Sequence, residues 1–172
     1  MNSLDWKTVG HPDLTEEELT AIAFLKDQHW TYGTESQINW IKNNIVSGDT
    51  HLLGTDPESG ELRAYTTIVL LSAIIDGKNE TALGIGSVCV DKKIEHSGYG
   101  KQLVMQADGF IRQSGYRGLL LCRDELTAFY KKCGWKSVRY KTATVADRSF
   151  EKNIMCLDFS FRCSSITINR NF

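Results

Sequence analysis

The chain has 172 residues, 41% of them hydrophobic and 24% charged, which fits one compact domain and excludes a disordered or largely membrane-embedded chain. Its net charge of −1 hides a division: residues 1–60 carry a balance of −7 and the remainder a balance of +6. Such a split suits an anionic ligand on one part and a cationic one on the other, although solvated surface charge accounts for the same count.

Met1–Gly10 is a mixed segment, with no basic-plus-apolar leader, and it predicts no element of its own. Thr15 followed by Glu16, Glu17 and Glu18 predicts a capped helix start. The acids there suit the positive end of the helix dipole. Leu19, Ile22 and Ala23 continue that helix as an apolar stripe toward Trp30. A second helix runs from about Thr34 to Val46, with Ile38, Ile41 and Ile45 on one face. The period then changes. His51–Thr55 and Glu61–Ile75 predict a hairpin around Asp56–Gly60, and Thr81–Val90 a third strand whose Gly84 and Gly86 imply a bulge or a close approach of another backbone. Gly98–Ser114 predicts a helix, Gly118–Cys122 a central strand, and Glu125–Cys133 a short helix stopped by Gly134. Trp135–Val145 and Asn153–Phe161 predict two more strands, and Arg162–Phe172 reads as an edge strand or a loose end.

This order predicts one mixed α/β (α+β) domain over residues 1–172, a mostly antiparallel central sheet flanked by helices. The longest apolar run, Ile68–Ile75, is interrupted by Ser72 and too short to span a bilayer, so no membrane partner is expected. Five cysteines without a C-x-x-C pair predict free thiols in a reducing cytoplasm. Four scattered histidines lack metal-ligand spacing, so no metal is expected.

Chemistry concentrates at one junction. The strand end Ser87-Val88-Cys89-Val90 feeds the loop Asp91–Gly98 and then a helix, which presents free backbone N–H groups and a positive dipole end suited to phosphate. Lys92, Lys93 and Lys101 add positive charge. There is no G-x-x-x-x-G-K-[ST] loop and no full G-x-G-x-x-G fingerprint, and Gly98-x-Gly100 alone also reads as a helix start tightened by glycines. A second constellation, Phe129-Tyr130-x-x-x-Gly134-Trp135, ends the short helix.

Together the two motifs resemble the GCN5-related N-acetyltransferase superfamily, sharply over about residues 80–136. The family's coenzyme loop V-x-x-x-x-[QR]-x-x-G-x-[GA] is similar to the stretch Val90, Glu95, Gly98, Gly100. Its [FL]-Y-x-x-x-G-[FW] segment is matched by Phe129, Tyr130, Gly134 and Trp135. One departure is Glu95, an acid where the family usually has Gln or Arg, and an acid beside a pyrophosphate is unfavourable.

The resemblance implies acetyl-CoA as co-substrate. It would be held along Val88, Cys89 and Val90 and by the loop Glu95, His96, Ser97, Gly98, Tyr99, Gly100 and Lys101, with transfer by direct attack of a neutral amine on the thioester. Tyr130 is then expected as the proton donor to the departing thiolate. Glu80, Asp124 and His51 are possible water-linked bases, and none is assigned. The first two helices, residues 15–46, are expected on the acceptor side, with Trp30, Tyr32 and Glu35 as acceptor-binding residues for a small amine. Residues Arg123–Trp135 are similar to a stretch of aminoglycoside acetyltransferases, which leans the same way. Acetylation of a protein or peptide, or a non-catalytic acyl-CoA-binding module, are the alternatives. The acidic first third argues against nucleic acid, and pairing into a homodimer through the last strands would be unsurprising.

Overall fold

The computed structural model describes residues 3–172. They form two compact units, residues 3–69 with Ser87–Ala107, and Leu70–Gly86 with Asp108–Phe172. In chain order the elements are β1 (Asp5–Gly10), α1 (Glu16–Asp27), α2 (Thr34–Asn44), β2 (Thr50–Thr55), β3 (Leu62–Ile75), β4 (Lys78–Val90), α3 (Tyr99–Ser114), β5 (Arg117–Cys122), α4 (Asp124–Lys132), β6 (Trp135–Ser137), β7 (Thr142–Val145), β8 (Arg148–Ser149), β9 (Asn153–Leu157) and β10 (Ser165–Ile168). The hydrogen-bonded order is β6-β9-β5-β4-β3-β10-β7-β8, with β2 also pairing β1 and β3. Parallel pairing joins β4 to β5 and β10 to β7, and the other registers are antiparallel. The expected mixed, mostly antiparallel α/β architecture is the observed one.

In the first unit the capping box forms as the sequence implies. Thr15 Oγ1 accepts the Glu18 N–H at 3.1 Å, and Glu18 Oε2 accepts the Thr15 N–H at 3.0 Å. Ile22, Ala23, Ile41, Leu52, Tyr65, Leu103 and Val104 are buried together in its core. Helix α2 stops at Asn44 rather than Val46, because Ile45 is extended and the Asp49 carboxylate takes the Val46 N–H at 2.9 Å. The segment read as featureless is strand β1, paired with β2 from Asp5↔Thr55 to Gly10↔Thr50. Only Val9 of its side chains is buried, so the strand lies at an edge and shows no alternation to read.

In the second unit the expected strand over 135–145 is two short ones. Between them Arg139 bridges to Arg162, and its N–H bonds Phe161 O at 3.0 Å. The tail is no loose end: Ile166, Thr167 and Ile168 pair with β3 at Ile75, Ile74 and Ala73. The close approach at Gly84 comes from side chains, not from another backbone. A Cβ there would lie 2.6 Å from the Phe172 ring and 2.8 Å from Leu71 Cδ1.

Candidate functional site

In the first unit β4 continues to Val90, past its last pair with β5 (Gly84↔Leu119). Ser87 interrupts the strand with φ 52, a left-handed conformation costly for a residue with a Cβ. It re-aims the last residues, Val88, Cys89 and Val90. Arg63 clamps the strand's end, donating from Nη1 to Asp91 Oδ2 at 2.5 Å while its carbonyl accepts the Asp91 N–H at 2.7 Å. Asp91 Oδ1 in turn accepts the Lys93 N–H and caps a single 3-10 turn, Lys92–Ile94.

From there His96 (φ 61) and Gly98 (φ 89) turn the chain into α3. Its first turn contains Tyr99, Gly100 and Lys101, at the positive end of the helix dipole. His96, Ser97 and Lys101 are exposed, as are Lys92 and Lys93. A left-handed turn, a helix N-terminus and three exposed lysines bring together donor and cation chemistry that suits a phosphate group.

Glu95, the departure from the family pattern, is turned toward His29. Its Oε1 lies 3.7 Å from His29 Nδ1, and His29 donates from Nε2 to the carbonyl of Val90 at 2.7 Å. Gln28 Oε1 accepts the Lys92 N–H at 2.9 Å. The end of α1 is thus tied to the end of β4.

The acceptor-side candidates sit in the α1–α2 connection and the first turn of α2. Tyr32 is 74% exposed and Trp30 37% exposed, and Glu35 is exposed as well. The Trp30 carbonyl accepts from Gln37 Nε2 at 2.6 Å, which fixes the loop that carries it.

Sequence reasoning missed Lys26, whose ammonium is the first unit's most unusual group. It is 4% exposed. It donates from Nζ to Ser87 Oγ at 3.2 Å and lies 4.0 Å from the centre of the Trp40 ring and 6.0 Å from that of Trp30. Burial lowers its pKa to about 8. The signal was present: Leu19, Ile22, Ala23 and Lys26 share one helical face, so Lys26 extends the apolar stripe.

Beneath it a buried polar line runs from His11 Nδ1 to His51 Nε2 at 2.9 Å, and from His51 Nδ1 to the Tyr65 hydroxyl at 2.9 Å. Burial lowers the His51 pKa to about 4, which keeps it neutral near pH 7, and raises the Cys89 thiol to about 12. Of the possible bases, His51 is therefore a neutral acceptor. Glu80 is held by Arg117 at 2.6 Å and Asp124 by Asn153 at 2.6 Å.

Tyr130 belongs to the second unit. It lies on α4 with its ring edge-on to Phe129, centroids 5.1 Å apart, and is buried to 7% exposure. Burial pushes the phenol well above its usual pKa, so it remains a proton donor at any ordinary pH. Its hydroxyl has no hydrogen-bond partner among the described residues, yet no fully buried side-chain oxygen lacks one, so this oxygen is reached by solvent. Gly134 (φ 98) ends α4, and the Trp135 indole donates to Asp108 Oδ1 at 3.0 Å. Cys122 packs against Met155, with sulfurs 3.7 Å apart, in keeping with a structural role. Among the described residues there is no cluster of three or more metal-ligating side chains, and no helix is long and apolar enough to cross a membrane.

Comparison with known proteins bears on this geometry. Among solved structures, an acyl-CoA N-acyltransferase from Pseudomonas aeruginosa shares 23% identity and a TM-score of 0.66, covering 90% of this chain and 99% of that one. ElaA from Escherichia coli shares 20% identity at TM-score 0.65, covering 90% and 99%. An aminoglycoside 6'-N-acetyltransferase complexed with coenzyme A shares 14% identity at TM-score 0.63, covering 87% and 95%. At these identities the likeness is one of fold. Among curated proteins none matches the sequence at a significant level. The family model for the acetyltransferase (GNAT) family matches residues 15–135, well over half of the chain. The strand end, glycine turn and tyrosine-bearing helix all fall within that span, and the chain belongs to the acetyltransferase (GNAT) family.

Proposed function

We propose that this GNAT-family acyltransferase moves an acetyl group from acetyl-CoA to the primary amine of a small molecule. The observation that carries the reading is β4 itself, which outruns its pairing with β5 and delivers Val88–Val90 into a glycine turn and helix N-terminus rich in N–H donors. Backbone groups of Val88, Cys89 and Val90 would hold the pantetheine arm as an added strand, and an N–H there would stabilise the oxyanion formed when the amine attacks. N–H groups between His96 and Lys101, other than that of Ser97, which donates to Ile94 O at 3.3 Å, would hold the pyrophosphate. The Glu95 carboxylate lies on the α1 side, its Oε1 3.7 Å from His29 Nδ1.

The Tyr130 hydroxyl is solvent-reachable, unpartnered and protonated, as a donor to the departing thiolate must be. Trp30, Tyr32 and Glu35 would receive the acceptor: two exposed aromatic faces and a carboxylate suit a cationic amine. The aminoglycoside 6'-N-acetyltransferase among the structural relatives is in keeping with that acceptor class. The test is mass spectrometry of polyamines, amino sugars, aminoglycosides and peptides incubated with the protein and acetyl-CoA. An acetylated small amine formed by the wild type and lost in Tyr130→Phe supports the reading. Acetylation of peptides alone replaces the acceptor class, and no product at all with coenzyme bound leaves a binding module.

A further inference from the structure

Every lysine of the chain except Lys26 is exposed. Lys26 is the one whose amine is enclosed, and it lies against aromatic rings and a hydroxyl. Among the described residues no carboxylate pairs with it. Its polar contact is the Ser87 hydroxyl at 3.2 Å, and its other neighbours are the Trp40 and Trp30 rings. A buried ammonium is ordinarily paired, and leaving it unpaired favours the neutral amine. Ser87 is the left-handed residue of β4 directly before Val88–Val90, so the amine lies beside the strand segment assigned to the thioester. The four-carbon stem of lysine gives Nζ freedom to move by an ångström or two from that position.

We propose that Lys26 is a self-acetylation site, its Nζ taking an acetyl group from acetyl-CoA bound along Val88–Val90. This rests on the coenzyme reading given under the proposed function. The neutral amine attacks the thioester carbonyl carbon. An N–C bond forms, the C–S bond breaks, and one Nζ proton ends on the coenzyme A thiol, leaving Nε-acetyl-lysine and free coenzyme A. The ammonium first gives up its other proton to solvent. Burial, with Cys89 and His51 as the nearby titratable groups, makes that loss accessible near pH 8. The product carries no charge, so acetylation removes a buried cation from beside the Trp40 and Trp30 rings.

The experiment uses the full chain and acetyl-CoA with a ¹³C-labelled acetyl group, followed by digestion and tandem mass spectrometry. Label should accumulate on Lys26 about ten-fold or more faster than on exposed Lys42, the rate rising through pH 8 and then levelling. Acetyl phosphate, which acylates without occupying a coenzyme site, should mark Lys42 and spare Lys26. In the protein without coenzyme, the ¹³Cε resonance of Lys26 should titrate near 8. Calorimetry with coenzyme A separates the two readings. Coenzyme binding with Lys26 labelled no faster than Lys42 overturns the proposal alone, as does equal labelling of Lys26 by acetyl phosphate. Absence of binding overturns the coenzyme reading, and the proposal falls with it.

Discussion

The face beneath α1 and the region around β5 and β9 handle polar groups in opposite ways. Beneath α1, Lys26, His51 and Tyr65 are each less than 5% exposed, and their hydrogen bonds and ring contacts are with hydroxyls, imidazoles and aromatic rings. In the other region two arginines are paired. Arg112 donates to both oxygens of Asp158 at 2.8 and 2.6 Å, and Arg117 to both of Glu80 at 2.6 and 3.3 Å while lying over the Phe159 and Phe161 rings. Paired charges fix geometry and have little chemistry left to offer. Buried groups without an opposite charge sit at shifted pKa values, which is the condition for moving protons or acting as nucleophiles near neutral pH.

The largest effect that would sharpen this contrast is expected at Tyr130, whose hydroxyl has no hydrogen-bond partner among the described residues. Tyr130→Phe should lower the acetyl-transfer rate by about a hundred-fold while coenzyme affinity, measured by calorimetry, stays unchanged. An unchanged rate would remove Tyr130 from the chemistry. Next comes packing: Gly84→Ala places a Cβ 2.6 Å from the Phe172 ring and should cost about 1–3 kcal/mol in urea unfolding. Shortening Phe172 to Ala in the same chain should recover part of that loss.

A smaller effect sets one buried group of each region against the other. His51 is depressed to about 4, so between pH 4 and 6.5 the unfolded chain binds more protons at this residue and stability rises with pH. Asp108 is raised to about 7 by burial, against the Trp135 hydrogen bond that lowers it. Between pH 3.8 and 7 the folded chain therefore holds the extra proton, and stability falls as pH rises. The two slopes oppose each other in the wild type. Asp108→Asn should leave a rising profile between pH 4 and 6.5, and His51→Gln a falling one, both read from denaturant midpoints. Parallel profiles in the two variants would mean that neither group titrates as its surroundings dictate. The smallest effect belongs to the half-exposed Arg112–Asp158 pair: Arg112→Ala should cost no more than about 1 kcal/mol, and less in high salt.

Much of the local structure was legible because it is written in neighbouring residues. Thr15 and Glu18 meet across three positions, Asp56 turns its own hairpin by accepting from Glu58 and Ser59, and Gly134 ends α4 through its own backbone freedom. The glycine turn between β4 and α3 was legible for the same reason, since strand, glycines and helix are contiguous. Strand β1 was not, because its polar, mostly exposed residues are held by hydrogen bonds to β2 some forty residues away. The tail likewise became β10 only through pairing with Ile75, Ile74 and Ala73 of β3.

The candidate site divides in the same manner. By itself the sequence determined the order of helices and strands, the glycine turn after Val90 and the tyrosine on the short helix, all products of local pattern. Only the tertiary structure decided that Glu95 faces His29, that Gly84 makes room for a phenyl ring, and that the lysine in the stripe of α1 lies at Ser87 without a counter-charge. Those outcomes depend on which distant surfaces exclude water together, and burial, which sets the charge state of Lys26 and His51, exists only once the chain has folded.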